Sequence, residues 1–196
     1  KEGLGSGTPL YVDQTNNRVG INKTPTVALD VSGSLSVDGG TIKLDGNYPT
    51  GTNNVALGDT ALDDGSLSGN NNTAIGSASL SANTTGAENT AVGSIALDGN
   101  STGNYNTAMG YGALTDATTG SNNTAVGRLA LGDNTTASNN TALGYQALRL
   151  NTTGTNNVAV GTSALTTNTT GSYTVAVGAN ALQQSTAVSF SVAVGY

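Results

Sequence analysis

Acid–base chemistry in this sequence is limited to carboxylates. The 196 residues include no His and no Cys, which excludes imidazole bases, thiolate nucleophiles and the usual zinc ligands. Asp63 and Asp64 form the single adjacent carboxylate pair, and Asp59 precedes them closely. Because Asp also favours turns, we interpret this group as the solvated corner of a structural repeat. The sequence therefore predicts no catalytic residue and no enzyme activity.

The remaining acidic residues do not form a metal-binding pattern. A calcium-binding repeat array needs Asp at the same position in every repeat, and the sequence lacks that regularity. The chain has 28 Gly, but no glycine-rich loop ends in the Lys-Ser/Thr pair of a phosphate-binding loop. We expect no metal and no cofactor. The later acidic residues occur at irregular spacings: Glu88, Asp98, Asp116 and Asp133.

Charge and hydropathy restrict the partners. The net charge is -6 with only six Lys and Arg, which argues against binding to nucleic acid or to an anionic membrane surface. No window approaches the roughly 18 consecutive apolar residues of a membrane span. Apart from other proteins, the remaining candidate ligands are sugars and ice.

Two sets of side chains could bind such ligands. Rows of Thr and Ser recur at one phase of the sequence, as in Thr118-Thr119 and Thr135-Thr136, and a flat Thr array could order ice. Thr-Thr-Gly is also good turn chemistry. Tyrosines could stack on sugars or pack between neighbouring chains. The candidate tyrosines are Tyr105, Tyr111, Tyr145 and Tyr173.

A repeat positions all of these residues. Its core reads Asn-Thr-Ala-Val-Gly, and successive glycines lie 18 and then 17 residues apart. A unit of this length fits two strands of four or five residues and two turns, so it predicts an all-β, parallel β-solenoid or β-roll. Nine such units would stack to roughly 40 Å. The corner glycines are Gly58, Gly76, Gly93, Gly110, Gly127, Gly144, Gly161, Gly178 and Gly195.

The alternation of side chains along each strand predicts an inner and an outer face. In Asn123–Gly127, Ala125 points opposite to Thr124 and Val126. We assign the aliphatic row to the coil interior: Ile75, Val92, Met109, Val126, Leu143, Val160 and Val177. We assign the uniform alanine row to the interface of an intertwined or side-by-side homotrimer: Ala74, Ala91, Ala108, Ala125, Ala142, Ala159 and Ala176. The alternative is that Ala suits a tight monomeric lumen.

Residues 51–196 resemble the head repeats of trimeric autotransporter adhesins. Asn89–Gly93 and Asn157–Gly161 are similar to the Asn-Ser-Val-Ala-Ile-Gly core of those repeats. The unit here is longer than is usual in that family, and it has an added Asn-Thr-Thr-Gly corner. The resemblance implies a left-handed parallel β-roll that forms trimers.

Residues 1–50 resemble the short-strand segments of bacteriophage tail fibres. The similarity lies in the Arg-Val-Gly-Ile run at 18–21 and the Leu-Asp-Val-Ser-Gly run at 29–33. Strands are predicted at Val27/Leu29/Val31, Leu35/Val37 and Ile42/Leu44. The expected organisation is a connector at 1–50 followed by a β-roll of about eight repeats at 51–196, which stops within a repeat.

These features predict a structural segment of a trimeric fibre. We expect a stiff spacer or adhesion shaft on a virion or an extracellular surface appendage. Its partners would be copies of itself and other fibre or virion proteins, with a host surface glycan or receptor as a further candidate. One alternative is a bacterial adhesin head that binds matrix or glycan, and another is an ice-binding solenoid.

Overall fold

The computed structural model describes residues 10–15, 18–21, 29–31 and 51–196. The chain divides into two compact units, Lys1–Lys43 and Leu44–Tyr196, and each is described by itself. All regular secondary structure in the described residues is β-strand. Within those same ranges, no helix is long and apolar enough to cross a membrane.

The first unit contains a three-stranded sheet. Strand β1 (Leu10–Asp13) pairs antiparallel with β2 (Arg18–Ile21), and β2 pairs parallel with β3 (Leu29–Val31). A strand at Leu29 and Val31 matches the alternating pattern predicted there. The strands predicted at Leu35/Val37 and Ile42/Leu44 lie outside the described residues.

The second unit is a parallel β-solenoid, as the repeat predicted. Its nine strands form one sheet in chain order, and each strand pairs in parallel with the next. Alanine pairs with alanine at every step, so the repeat sets the register. The strands are β4 (Val55–Leu57), β5 (Thr73–Ile75), β6 (Thr90–Val92), β7 (Thr107–Met109), β8 (Thr124–Val126), β9 (Thr141–Leu143), β10 (Val158–Val160), β11 (Val175–Val177) and β12 (Val192–Val194).

Each coil has one strand of three residues, so the prediction of two longer strands per coil is wrong. The second apolar segment, such as Ala130-Leu131, forms bends and turns. Leu129 and Leu131 have φ of 58° and 49°, a left-handed conformation that costs a bulky residue about 1–2 kcal/mol. Backbone bonds between coils hold them there, because the Leu131 N–H donates to the Ala147 carbonyl at 3.0 Å.

The interior is filled by small or branched apolar side chains. The strand alanines of β5 to β11 are fully buried, whereas those of the two end strands are not, and Leu131 and its equivalents pack against the buried row. A second buried row, which includes Ala130, comes from the turns. The buried leucines are Leu62, Leu67, Leu80, Leu97, Leu114, Leu131, Leu148 and Leu165.

The predicted assignment of the two strand faces is therefore wrong. The alanines assigned to a trimer interface have 0% exposure within the single chain, so they cannot contact another chain: Ala74, Ala91, Ala108, Ala125, Ala142, Ala159 and Ala176. The residues assigned to the interior lie on the outer face instead, half-buried or exposed: Ile75, Val92, Met109, Val126, Leu143, Val160 and Val177.

A narrow coil explains the reversal. Leu131 and two buried asparagines, Asn123 and Asn134, share the lumen with Ala125. Because protein interiors are close-packed, the remaining space accepts a methyl group and not a branched side chain. The interpretation of alanine as the residue of a tight lumen is the correct one.

Buried asparagines join the coils along the axis. Asn123 Oδ1 accepts the backbone N–H of Asn140 at 3.0 Å, and its Nδ2 donates to the Ala137 carbonyl at 2.9 Å. These bonds satisfy backbone groups that the short strands leave without a sheet partner. The ladder runs through Asn54, Asn72, Asn89, Asn106, Asn123, Asn140 and Asn157 and ends at Thr174.

A second buried amide row has a gap at Ala117. Side-chain bonds join Asn83 to Asn100 at 3.0 Å and Asn134 to Asn151 at 3.1 Å. Ala117 occupies the position between these two pairs, and Asn100 Oδ1, like that of Asn151, is buried without a hydrogen-bond partner. The row is therefore incomplete at a position where the neighbouring coils accommodate Asn.

We expect Ala117→Asn to stabilise the protein by about 1 kcal/mol. The new amide would donate to Asn100 Oδ1 in the same way that Asn100 donates to Asn83. Urea unfolding followed by circular dichroism measures the change. The matched control is Ala130→Asn, which places an amide among the buried alanines and should destabilise by about 1–3 kcal/mol. Destabilisation by Ala117→Asn of the same size as by the control would contradict the account.

Candidate functional site

The outer face of the nine-stranded sheet presents a row of aliphatic side chains to solvent. Two residues of each strand point outward, and they are Thr or Val followed by an aliphatic residue. Leu57, Met109, Ile75 and Leu143 are 37–44% exposed. Large contiguous apolar surface of this kind marks interaction sites. The structure therefore places an unpartnered apolar stripe along the solenoid axis.

The stripe is more apolar at its two ends than in its middle, because β4 begins with Val55. Its first outward position is Thr in β5 through β9 and Val in β10, β11 and β12. Thr and Val have the same shape, so this change removes hydroxyls without changing the width of the face. The last three described strands thus present an outer face without polar side chains.

A glycine ends every strand of the stripe. The predicted corner glycines lie directly after each strand, all but Gly195 at a bend, with φ of 128–141°. This conformation favours glycine. An added Cβ at these positions would also meet the backbone of the next coil within about 3 Å, with the exception of Gly195. The glycines with that close approach are Gly58, Gly76, Gly93, Gly110, Gly127, Gly144, Gly161 and Gly178.

Beside the stripe, one position after these glycines, three consecutive coils have large side chains. The guanidinium carbon of Arg128 lies 5.5 Å from the ring centroid of Tyr111 and 5.7 Å from that of Tyr145. The Arg128 Nη1 donates to the Tyr145 hydroxyl at 3.4 Å. Both rings are about half exposed. We call these three residues the Tyr–Arg–Tyr patch.

The other candidate tyrosines lie before the strands, on the opposite side of the stripe. Tyr105 and Tyr173 are 57% and 56% exposed. Tyr173 stacks on Phe190 of the next coil with ring centroids 5.2 Å apart. The tyrosines named as sugar-binding candidates are thus divided between two separate margins of the stripe.

Three of the carboxylates form local contacts. Asp64 accepts hydrogen bonds from the side chain and the backbone N–H of Ser66, and the serine hydroxyl, followed by the backbone bond, holds the pKa of Asp64 below its usual value. Asp98 bonds Ser81, and Asp133 lies 3.8 Å from Arg149. Within residues 51–196 and the short segments before them, no group of three or more His, Cys, Asp or Glu could hold a metal ion.

The Thr rows lie at bends and not on a flat strand. The first row includes Thr118 and Thr135. Its hydroxyls donate to carbonyls of the next coil, for example Thr118 Oγ1 to the Thr135 carbonyl at 3.0 Å. These hydroxyls therefore support the stack. The second row, which includes Thr119 and Thr136, is exposed.

Sequence reasoning missed the Tyr–Arg–Tyr patch as a unit. The signal was present, because Tyr111, Arg128 and Tyr145 share one phase of the repeat and the neighbouring coils have Ser94 and Thr162 there. The sequence does not show that side chains at this position point outward, or that they contact one another from coil to coil.

Comparisons with protein-family models, with curated proteins and with solved structures gave no match. Residues 51–196 are accordingly assigned by their own geometry, as an all-β parallel solenoid with an apolar outer stripe.

Proposed function

We propose that the chain is a structural segment of a fibre in which copies of itself pack through the outer stripe of the solenoid. The observation that carries this proposal is the row of outward-facing aliphatic side chains, half-buried or exposed, along one face of the nine strands. Covering that face would remove apolar surface from water at about 25 cal/mol per Å². A copy of the same chain offers a partner with the same strand spacing and length.

Stiffness supports a spacer role. Backbone hydrogen bonds between coils run along the axis at strands and bends alike, and the buried Asn ladder adds side-chain bonds in the same direction. Bending such a stack would stretch hydrogen bonds at several points around each coil, so the stack resists bending. The segment would hold another module at a fixed distance.

Three copies and a surface location complete the proposal. The resemblance of the repeats to trimeric adhesin heads favours a homotrimer, with the outer stripe replacing the alanine row at its interface. The resemblance of residues 1–50 to tail-fibre segments favours a virion or an extracellular appendage. A bacterial adhesin head is the second candidate, favoured by the exposed Tyr–Arg–Tyr patch beside the stripe.

Charge in the middle of the stripe should separate the copies. We expect the full chain to sediment at a multiple of its 19.2 kDa mass, and Met109→Glu with Val126→Glu to weaken association at least about 100-fold. Circular dichroism should stay unchanged, since both side chains point outward. Analytical ultracentrifugation measures the masses.

The control is Thr136→Glu, which adds charge at an exposed bend away from the stripe. It should leave the mass of the assembly unchanged. A wild-type chain that stays at 19.2 kDa across the concentration range would contradict the proposal.

A further inference from the structure

The Tyr–Arg–Tyr patch is a departure from the repeat that folding does not require. Its position has a short side chain in the neighbouring coils, Ser94 before it and Thr162 after it. The two tyrosines are 50% and 43% exposed, so they contribute little to the core. Three consecutive coils nevertheless have large side chains in mutual contact.

Arg128 is the distinctive member of the patch. Residues 51–196 contain two arginines and no lysine. Arg149 lies 3.8 Å from the Asp133 carboxylate, whereas within these residues Arg128 contacts only aromatic groups. Most of its five N–H donors remain available, and a guanidinium matches a carboxylate in two-point geometry. The chain thus holds a preoriented cation ready for an anionic ligand.

The rings provide the second part of a site. Arg128 lies between Tyr111 and Tyr145, which belong to coils about 10 Å apart. The next side chains in the same row are the short Ser94 and Thr162, and each tyrosine remains about half exposed beside Arg128. An exposed Tyr offers an apolar ring and a polar hydroxyl, which suits the apolar face and the hydroxyl edge of a pyranose.

We propose that the Tyr–Arg–Tyr patch binds a carboxylated sugar, with the carboxylate on Arg128 and a pyranose ring against Tyr111 or Tyr145. A polyglutamate peptide could pair with Arg128 but has no ring to lie against the exposed tyrosines. The site is separate from the outer stripe and does not rest on the proposed fibre.

The repeat itself supplies variants that the fold tolerates. Tyr111→Ser and Tyr145→Thr introduce the residues of the adjacent coils, and Arg128→Ser introduces the residue found at Ser94. The control is Tyr105→Asn, which removes an exposed tyrosine outside the patch and matches Asn122 in the next coil. Calorimetric titration of the full chain would use oligogalacturonate, sialyllactose, neutral maltohexaose and a short polyglutamate peptide.

We expect one or both carboxylated sugars to bind, and the binding to weaken at least about tenfold in Arg128→Ser and in the double tyrosine variant. It should stay unchanged in Tyr105→Asn. Absence of binding by both carboxylated sugars overturns the proposal, as does equal binding of maltohexaose or polyglutamate. The variant that combines all three substitutions tests for a role in assembly. If it sediments as a monomer, the patch is a contact between copies; that result overturns the sugar site and leaves the proposed fibre intact.

Discussion

Gly127→Ala should destabilise the solenoid by about 4 kcal/mol. Gly127 has φ of 132°, and a Cβ there would lie 2.5 Å from the carbonyl oxygen of Gly144 and 2.6 Å from its carbonyl carbon. Both atoms belong to the backbone of the next coil, so the coils must separate locally. That separation would break the bond from the Gly144 N–H to the Val126 carbonyl, now 2.8 Å long.

The matched control is Gly132→Ala in the same coil. The nearest atom to an added Cβ at Gly132 is the Leu129 carbonyl oxygen at 3.4 Å. Neighbouring coils have Thr115 and Arg149 at this position, so a side chain fits there. The control should change stability by less than about 0.5 kcal/mol. Equal thermal unfolding midpoints for the two variants would show that the backbones of successive coils do not approach closely at Gly127.

Asn123→Asp should destabilise by about 3–5 kcal/mol. The amide Nδ2 donates to the Ala137 carbonyl at 2.9 Å and to Asn106 Oδ1 at 3.2 Å. A carboxylate would place an acceptor against both oxygens in a fully buried site. The bond from the Asn140 N–H would remain. The decrease in the free energy of unfolding would therefore come from the two donated bonds and the buried charge.

Asn122→Asp makes the same chemical change one residue earlier. Asn122 is exposed, with φ of 59°, and Asp tolerates this left-handed conformation as Asn does. The expected change is below about 0.5 kcal/mol. Urea unfolding measures the free energy of unfolding of both variants. A similar decrease in the two would contradict the role of the buried ladder.

The stack could be predicted from sequence because it depends on regular spacing. The glycines at 17-residue intervals fix the number of residues per coil, and strand alternation fixes that Ala125 opposes Val126. Alternation does not say which side is inside. The inner side was decided by the volume that Leu131 and the buried asparagines leave free, which is a property of the closed coil.

Local residue propensities could not predict that each coil has a single strand. Ala130-Leu131 is an apolar pair that favours an extended or helical backbone in isolation. In the structure Leu131 adopts φ of 49° because the hydrogen bond to Ala147 and burial of its side chain offset the local strain. Contacts between residues 16 or 17 apart therefore decide the conformation of this segment, and a reading of neighbours in sequence misses them.

The candidate surfaces were only partly visible in the sequence. Tyr111 and Tyr145 could be named as exposed aromatics, since their phase differs from that of the apolar rows. Their contact with Arg128 required the outward direction of that phase and the stacking of successive coils. The apolar stripe was found in the sequence but assigned to the wrong side of the strand.

Single-cysteine cross-linking tests the central claim that copies pack through the outer stripe. The chain has no Cys, so Val126→Cys, Ala125→Cys and Thr136→Cys each introduce one thiol, on the stripe, in the lumen and at an outer bend. A short bismaleimide should give covalent dimers with Val126→Cys alone, because parallel copies in register bring equivalent coils together. Cross-linking at Thr136→Cys without cross-linking at Val126→Cys, or no cross-linking in any variant, would contradict the account.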